Sequence, residues 1–118
     1  MAISVFHFEK FYYPEDNLDR YGNAPVFHHV AEVSVADEHM AEVFRLTNSI
    51  DSYWWKNEGV EANFESPAFR EVGGMKGTRS TMVGDLIRLG DGRWFRCASF
   101  GWDELPEKPE GVRTEISS

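Results

Sequence analysis

The alternation of hydrophobic and polar residues predicts two strands in the first third of the chain. Residues Ala2–Phe11 form an extended segment with bulky side chains at both odd and even positions, so both faces of this strand are expected to be covered. Turn-forming residues crowd Tyr13–Pro25 and indicate a loop. Segment Val26–Val35 then alternates, which predicts a second strand with one shared face, comprising Phe27, His29, Ala31, Val33 and Val35.

The period changes from two residues to helical spacing after Val35. Met40, Val43, Phe44 and Thr47 fall on one side of a helix that the pattern predicts over Asp37–Asn48. The sequence Ser34-x-x-Asp37 resembles a capping box at its start, with Asp in the place of the usual Glu or Gln.

The middle of the chain gives weaker signals. The run Tyr53-Trp54-Trp55 is compatible with a short helical turn or with an irregular loop held by its indoles. Val60–Gly77 contains Pro67 and three glycines, and we expect a long loop with little regular structure, of the kind that is often functional.

The segment Arg79–Trp102 has the clearest pattern in the chain. Apolar residues lie on both sides of Gly90-Asp91-Gly92, which predicts a β-hairpin with strands near Met82–Leu89 and Trp94–Phe100. Together these elements predict an α+β fold, a small and mostly antiparallel sheet of about four strands with one main helix packed on one face. We expect a single domain over residues 1–105 and a polar tail over 106–118.

The charge of the 118-residue chain is concentrated in its first half. Residues 1–66 contain 12 acids and four bases, a net charge of −8, whereas residues 67–118 contain eight of each. Nucleic-acid binding requires clustered Lys and Arg, so direct nucleic-acid binding is not expected. An acidic surface attracts a basic protein partner, or it serves solubility alone.

Cysteine content and hydropathy indicate the compartment. The single cysteine, Cys97, excludes an internal disulfide and is read as a buried strand residue. The first eleven residues lack the features of a signal peptide. No stretch approaches the roughly 18 apolar residues of a membrane span. We therefore expect a cytoplasmic protein that does not contact membranes.

The sequence offers no recognisable catalytic, cofactor or metal site. His28 and His29 are adjacent on a strand and point to opposite faces, although His7 is able to meet one of them across strands. Ser80 and Thr81 lie near Asp85 without a histidine in the neighbouring sequence, and no serine lies in a G-x-S-x-G elbow. Phosphate-loop motifs are absent. We expect no enzymatic activity, no cofactor and no bound metal.

Two groups of residues remain as candidate sites. The first group either fixes the preceding loop to the sheet by hydrogen bonds or contacts a ligand. It consists of Arg79, Ser80, Asp85 and Trp102. The second group joins aromatic residues to acids, because Trp and Tyr anchor protein interfaces and acids suit a basic partner. It consists of Tyr53, Trp54, Trp55, Glu58, Glu61 and Glu65.

The Arg79–Trp102 segment resembles the signature of YodL-like small domains, which occur in plasmids, phages and other bacterial mobile elements. That signature is similar to R-S-x-S-V-G/S-D-V followed by two short strands ending in F-G-F/W. The matching residues are Arg79, Ser80, Val83, Gly84, Asp85, Phe100, Gly101 and Trp102, while Met82 departs from the usual small polar residue. Residues 43–60 resemble a segment that precedes the signature in some actinobacterial relatives. The resemblance implies a mobile-element setting and no known chemistry.

These observations lead to three functional hypotheses. The first is a non-enzymatic accessory protein that binds and inhibits a host protein, for example an anti-CRISPR or anti-restriction inhibitor whose acidic surface docks on a basic nucleic-acid groove. The second is a small-molecule or peptide binder with a pocket between Arg79 and the tryptophans. The third is an enzyme of a type that its motifs do not reveal.

Overall fold

The structure is a computed structural model that describes residues 2–8, 27–49, 53–109 and 112–113. Within these residues the chain forms nine strands, one short α-helix and two 3-10 turns. The strands are β1 Ile3–Phe8, β2 Phe27–Val33, β3 Val60–Ala62, β4 Arg70–Val72, β5 Met75–Gly77, β6 Leu86–Arg88, β7 Trp94–Ala98, β8 Gly101–Leu105 and β9 Val112–Arg113. Helix α1 is Glu42–Leu46, and the 3-10 turns are Asp37–His39 and Trp54–Lys56.

Most strands belong to one antiparallel sheet with β1 at its centre. Six strands are ordered β3-β2-β1-β6-β7-β8. The short strand β9 pairs in parallel with Phe27 and His28 of β2. Because β1 pairs along the whole of β2, β9 and β3 share the other edge of that strand. Strands β4 and β5 form a separate two-stranded hairpin.

The predicted α+β fold class is wrong, because the protein is mostly β. The expected helix over Asp37–Asn48 is divided into a 3-10 turn and the five-residue α1. The Asp37 carboxylate does not cap the helix; it accepts hydrogen bonds from the backbone N–H groups of Gly90 (2.7 Å) and Asp91 (3.1 Å). Because the Asp37 side chain is bonded to the hairpin turn, it is not available to cap the helix. A helix without a side-chain cap is less stable, which favours a short helix.

The predicted long loop over Val60–Gly77 is also wrong. This stretch contains β3 and the β4–β5 hairpin, whose turn is Gly73-Gly74. Both glycines have positive φ, 62° and 83°, as the tight turn of a two-residue hairpin requires. Gly-Gly is a recognised hairpin signal, but the short polar strands around it hide the alternation.

The predicted strands 1 and 2 are confirmed over Ile3–Phe8 and Phe27–Val33, while residues 9–11 and 26 of their predicted ranges lie outside the described residues. The predicted shared face of strand 2 is wrong. Val5 pairs with Ala31, whereas Phe6 pairs with His29, so Val30 is an extra residue in β2. Because of this bulge, Phe27 and His29 do not share a face with Ala31 and Val33, as a regular alternation would require. His28 therefore lies opposite His7 on one face, and His29 lies opposite Phe6 on the other. The expectation that His28 and His29 point apart, and that His7 meets one of them, is confirmed.

The predicted hairpin is confirmed, with shorter strands β6 and β7. The chain then turns at Ser99-Phe100 and adds β8, which the sequence pattern did not reveal. Strand β8 is mostly exposed and acidic at Asp103 and Glu104, and hydrophobic periodicity gives little signal for such an edge strand.

The central strand β1 is buried on both faces, as expected from its bulky residues. One face carries the larger hydrophobic cluster, to which α1 contributes Val43 and the second 3-10 turn contributes Trp54. The other face carries a smaller cluster, which consists of Phe6, Phe8, Phe27, Leu86, Trp94 and Val112. Two layers of packing therefore fix β1 and the residues at its end.

Three further expectations concern the chain as a whole. No helix among the described residues is long and apolar enough to cross a membrane. The predicted loop Tyr13–Pro25 lies outside the described residues. In the predicted tail, Val112 is buried against the smaller cluster.

Candidate functional site

A buried ion pair between Arg79 and Asp85 lies at the end of β1. The guanidinium donates to both carboxylate oxygens, Nη1 to Oδ2 at 2.6 Å and Nη2 to Oδ1 at 2.7 Å. Asp85 is completely buried and Arg79 is 14% exposed. A paired, planar guanidinium is the geometry in which a buried carboxylate is best compensated.

Backbone groups complete the surroundings of this pair. Asp85 accepts two more hydrogen bonds, from the N–H groups of Phe8 and Met82, both at 2.8 Å. Arg79 donates to the carbonyl oxygen of Phe8 at 2.9 Å. Asp85 follows a turn closed by its N–H on the Met82 carbonyl, in which Gly84 has a φ of 100°. This is the position of a type II turn that favours glycine, and it explains the Gly-Asp of the sequence motif.

The residues around Arg79 also fasten the preceding segments to the sheet. The Arg79 carbonyl accepts a hydrogen bond from the Trp54 indole at 2.9 Å. The Ser80 hydroxyl accepts one from the Ser49 N–H at 2.9 Å. These contacts support the structural interpretation of Arg79, Ser80 and Asp85. Trp102 is not part of this group: it lies on β8 opposite Cys97 and packs against the larger cluster.

The residue that sequence reasoning missed here is His7. Its Nε2 lies 2.9 Å from the Thr81 hydroxyl and 3.8 Å from Asp85 Oδ2. The sequence shows no histidine near Thr81 because this one comes from β1, 74 residues away. Thr81 and Asp85 both face the same ring nitrogen, whereas a nucleophilic triad places them on opposite nitrogens.

The electrostatics of His7 follow from its position. Burial lowers the pKa of the imidazole to about 4; Asp85 opposes this shift and Arg79 adds to it. The ring is therefore neutral at neutral pH. Its Nδ1 is the one buried side-chain nitrogen or oxygen that has no hydrogen-bond partner in the described part of the chain.

A cavity of about 150 Å³ adjoins this group. The sequence-based hypothesis places a pocket between Arg79 and the tryptophans, but tryptophans do not line this cavity. Its walls come from the ends of β1 and β2, the start of β4 with the segment before it, and the segment after β5. The lining residues are His7, Phe8, His28, Pro67, Ala68, Arg70, Thr78 and Arg79.

The second candidate group contains a continuous row of aromatic rings, here called the aromatic strip: Tyr53, Trp55, Phe69 and Phe64. Tyr53 and Trp55 are stacked with centroids 4.7 Å apart and planes 7° apart. Trp55 meets the edge of Phe69 at 5.9 Å, and Phe69 meets Phe64 at 5.1 Å. The ends of the strip are accessible, because Tyr53 is 43% and Phe64 is 41% exposed.

Trp54 and Trp55 have different roles, although they are adjacent. Trp54 is completely buried in the larger cluster, so its side chain is not accessible to a partner. Trp55 is half-buried between Tyr53 and the β5 strand. A Cβ on Gly77 would lie only 2.9 Å from the Trp55 ring, so the absence of a side chain there lets β5 close against the strip.

The three candidate glutamates are all exposed but do not form one group. Glu58 lies in the turn before β3, and Glu65 follows Phe64 in the chain. Glu61 pairs with Glu32 in the β2–β3 register, while its neighbours Val60 and Ala62 pack on the larger cluster. Alternation therefore points Glu61 to the face of the sheet opposite that cluster.

Two lysines also lie beside the strip. Lys56 lies over the Tyr53 ring, 5.5 Å from its centroid, and Lys76 donates to the Phe64 carbonyl at 3.2 Å. The rim of the strip therefore carries both signs of charge.

Two further observations concern the thiol and the metal-ligating side chains among the described residues. Cys97 is a buried strand residue as expected, and burial, with a smaller effect of Asp85, raises the pKa of its thiol to about 11. No group of three or more metal-ligating side chains is found among the described residues.

No family model matches the sequence. No curated protein matches it significantly, and no solved structure is significantly similar. The resemblance to YodL-like domains therefore remains a prediction from the Arg79–Trp102 segment.

Proposed function

We propose that this chain is a non-enzymatic binding protein that engages another protein through the aromatic strip. The observation that carries the proposal is the exposure of Tyr53 and Phe64 at the two ends of one continuous row of rings. Aromatic residues are the commonest anchors of protein interfaces. Tyrosine and tryptophan also bury a large area at a low cost in side-chain entropy.

The strip suits this role because it is held in place before any partner arrives. Trp55 is stacked on one side and meets Phe69 on the other, and the turn that carries it is anchored by the Trp54 indole on the Arg79 carbonyl. A contact surface that needs no ordering on binding loses less free energy to conformational entropy.

The partner that fits the charge is a basic protein, such as one whose groove binds nucleic acid, which this chain would then inhibit. Residues 1–66 carry a net charge of −8, and Glu58 and Glu65 lie near the strip in the chain. Opposite charge raises the association rate in a salt-dependent way. Lys56 and Lys76 make the local rim mixed, so the rings supply affinity and the acidic half supplies attraction at longer range.

Capture of a bacterial protein on the immobilised chain, followed by mass spectrometry, tests this proposal. The double variant Tyr53→Ala/Phe64→Ala removes the two exposed rings. Phe100→Ala is the matched control, because Phe100 is fully exposed at the turn between β7 and β8 and belongs to no ring pair of the strip. A specific partner is expected to be retained by the control and lost by the double variant.

A second pair of measurements separates the rings from the charge. Retention of the partner is expected to fall with increasing salt and to weaken in Glu58→Gln/Glu65→Gln. If a partner is captured equally well by the parent chain and the double ring variant, the aromatic strip is not the contact surface. If retention is independent of salt, the choice of a basic partner is wrong.

A further inference from the structure

The cavity beside His7 lies outside the surface used in the proposed function. Its volume is about 150 Å³, and none of its lining residues belongs to the aromatic strip. A cavity of about 150 Å³ holds a molecule of roughly the size of benzene, which has six non-hydrogen atoms. The space therefore suits a small molecule rather than a peptide.

The polar groups of the lining are mainly donors. Arg70 and Arg79 are cationic, Thr78 carries a hydroxyl, and His28 and His7 carry imidazoles, while none of the described lining residues is an acid. The carboxylate paired with Arg79, that of Asp85, is completely buried and already accepts four hydrogen bonds. The lining therefore favours an anionic ligand.

His7 gives the cavity a second, independent feature. It lines the cavity, and its Nδ1 is buried without a hydrogen-bond partner among the described residues. A buried polar atom without a protein partner is uncommon, and it keeps a hydrogen bond to offer to a small molecule. When the Thr81 hydroxyl donates to Nε2, the ring proton lies on Nδ1, which is then a donor without an acceptor among the described residues.

We propose that this cavity binds a small oxyanion, a carboxylate or a phosphate of about six non-hydrogen atoms, between exposed Arg70 and buried His7. Arg70 and Thr78 donate to the oxyanion, and the guanidinium of Arg79 supplies positive charge while it stays bound to Asp85. Phe8, Pro67 and Ala68 provide an apolar wall for the uncharged part of the ligand.

Titration of the protein with acetate, propionate and inorganic phosphate, followed by NMR of the histidine side chains, tests this site. Propionamide is the neutral match of propionate. His39 is the internal reference, because it is exposed on the first 3-10 turn and does not line the cavity. The His7 signals are expected to shift saturably with an oxyanion and not with propionamide, while the His39 signals stay constant.

Two variants locate the binding. Arg70→Gln removes the exposed cation. It is expected to lower the affinity for the oxyanion about ten-fold, as the loss of a charge-assisted hydrogen bond does. Arg96→Gln removes another exposed strand arginine, one that does not line the cavity, and it is expected to leave binding unchanged. Ala68→Leu fills the cavity from its apolar wall and is expected to abolish the shift.

The outcomes are distinguishable. A stronger response to carboxylates than to phosphate assigns an organic acid, and the reverse assigns a phosphate compound; both support the oxyanion. Equal responses to propionate and propionamide, equal effects of Arg70→Gln and Arg96→Gln, or no saturable shift of His7 would each overturn the proposal.

Discussion

The buried Arg79–Asp85 ion pair and the aromatic strip are both held in place by the protein itself, but they differ in what they leave exposed. In the first, a carboxylate with no exposed surface accepts four hydrogen bonds, so its polar atoms are fully occupied by the protein itself. In the second, rings are fixed by one another and still expose more than two fifths of Tyr53 and Phe64. A saturated polar group holds a fold together, whereas an ordered apolar surface left exposed is free to bind.

The largest expected effect is on stability, from removing one partner of the buried ion pair. Asp85→Ala leaves Arg79 without its carboxylate, and the loss of one partner of a buried pair costs roughly 3–5 kcal/mol of unfolding free energy. Urea unfolding measures this loss. Asp91→Ala is the control, since Asp91 pairs with Arg93 at the surface and a much smaller change is expected. Similar losses in both variants would show that Asp85 has no special structural role.

The next effect is a dependence of stability on pH through His7. The folded chain keeps this imidazole neutral down to a pKa of about 4, whereas the unfolded chain binds the proton near its ordinary pKa of 6.5. The contribution of the neutral His7 ring to the free energy of unfolding is therefore complete above pH 6.5 and is lost as the pH falls towards 4. The loss amounts to about 3 kcal/mol.

Urea unfolding between pH 7 and pH 4 measures this dependence, with His7→Gln as the comparison. The carboxylates titrate in both proteins, so the difference between the two profiles isolates His7. A wild-type profile that runs parallel to that of His7→Gln would contradict the assignment.

A smaller effect is expected where the β5 strand meets the strip. Gly77→Ala places a Cβ within contact of the Trp55 ring, which is held between Tyr53 and Phe69 and has little room to move. Overpacking of this kind costs about 1–3 kcal/mol. Thermal unfolding and the near-ultraviolet dichroism of the indole measure it. Unchanged stability and dichroism would mean that the strip is not rigid. Glu71→Ala, an exposed position on β4, is the control.

The smallest effect on stability is expected from the residues proposed to bind. Tyr53→Ala/Phe64→Ala removes rings that leave about two fifths of their residues' surface in water, and surface changes usually cost about 0.5 kcal/mol or less each. Chemical unfolding checks this. A loss as large as that of Asp85→Ala would place the strip with the structural elements.

The sequence predicted those parts of the fold in which local pattern and burial agree. Strand β1, with bulky residues on both faces, and the β6–β7 hairpin around Gly90-Asp91-Gly92 are in this class. The bulge at Val30 could not be predicted in this way, because an extra residue in one strand depends on how its partner strand packs. The divided helix is a similar case, since Asp37 bonds to a turn more than fifty residues away.

The candidate site was predicted in part. Arg79, Ser80 and Asp85 were identified together because they lie within seven residues of one another, and they do lie together. His7 was missed, since only the pairing of β1 with β6 brings it to Thr81 and Asp85. Phe64 and Phe69 lie in a segment for which the sequence predicts a loop without regular structure, so the pattern does not place them beside Trp55.

The most direct test of the central claim measures affinity and stability on the same protein. The partner captured by the parent chain is titrated against Tyr53→Ala/Phe64→Ala and against Phe100→Ala, and the unfolding free energy of each variant is determined in parallel. The account predicts that the double variant loses binding while it keeps its stability, and that Phe100→Ala keeps both. Undiminished binding by the double variant, or an equal loss in Phe100→Ala, would contradict it.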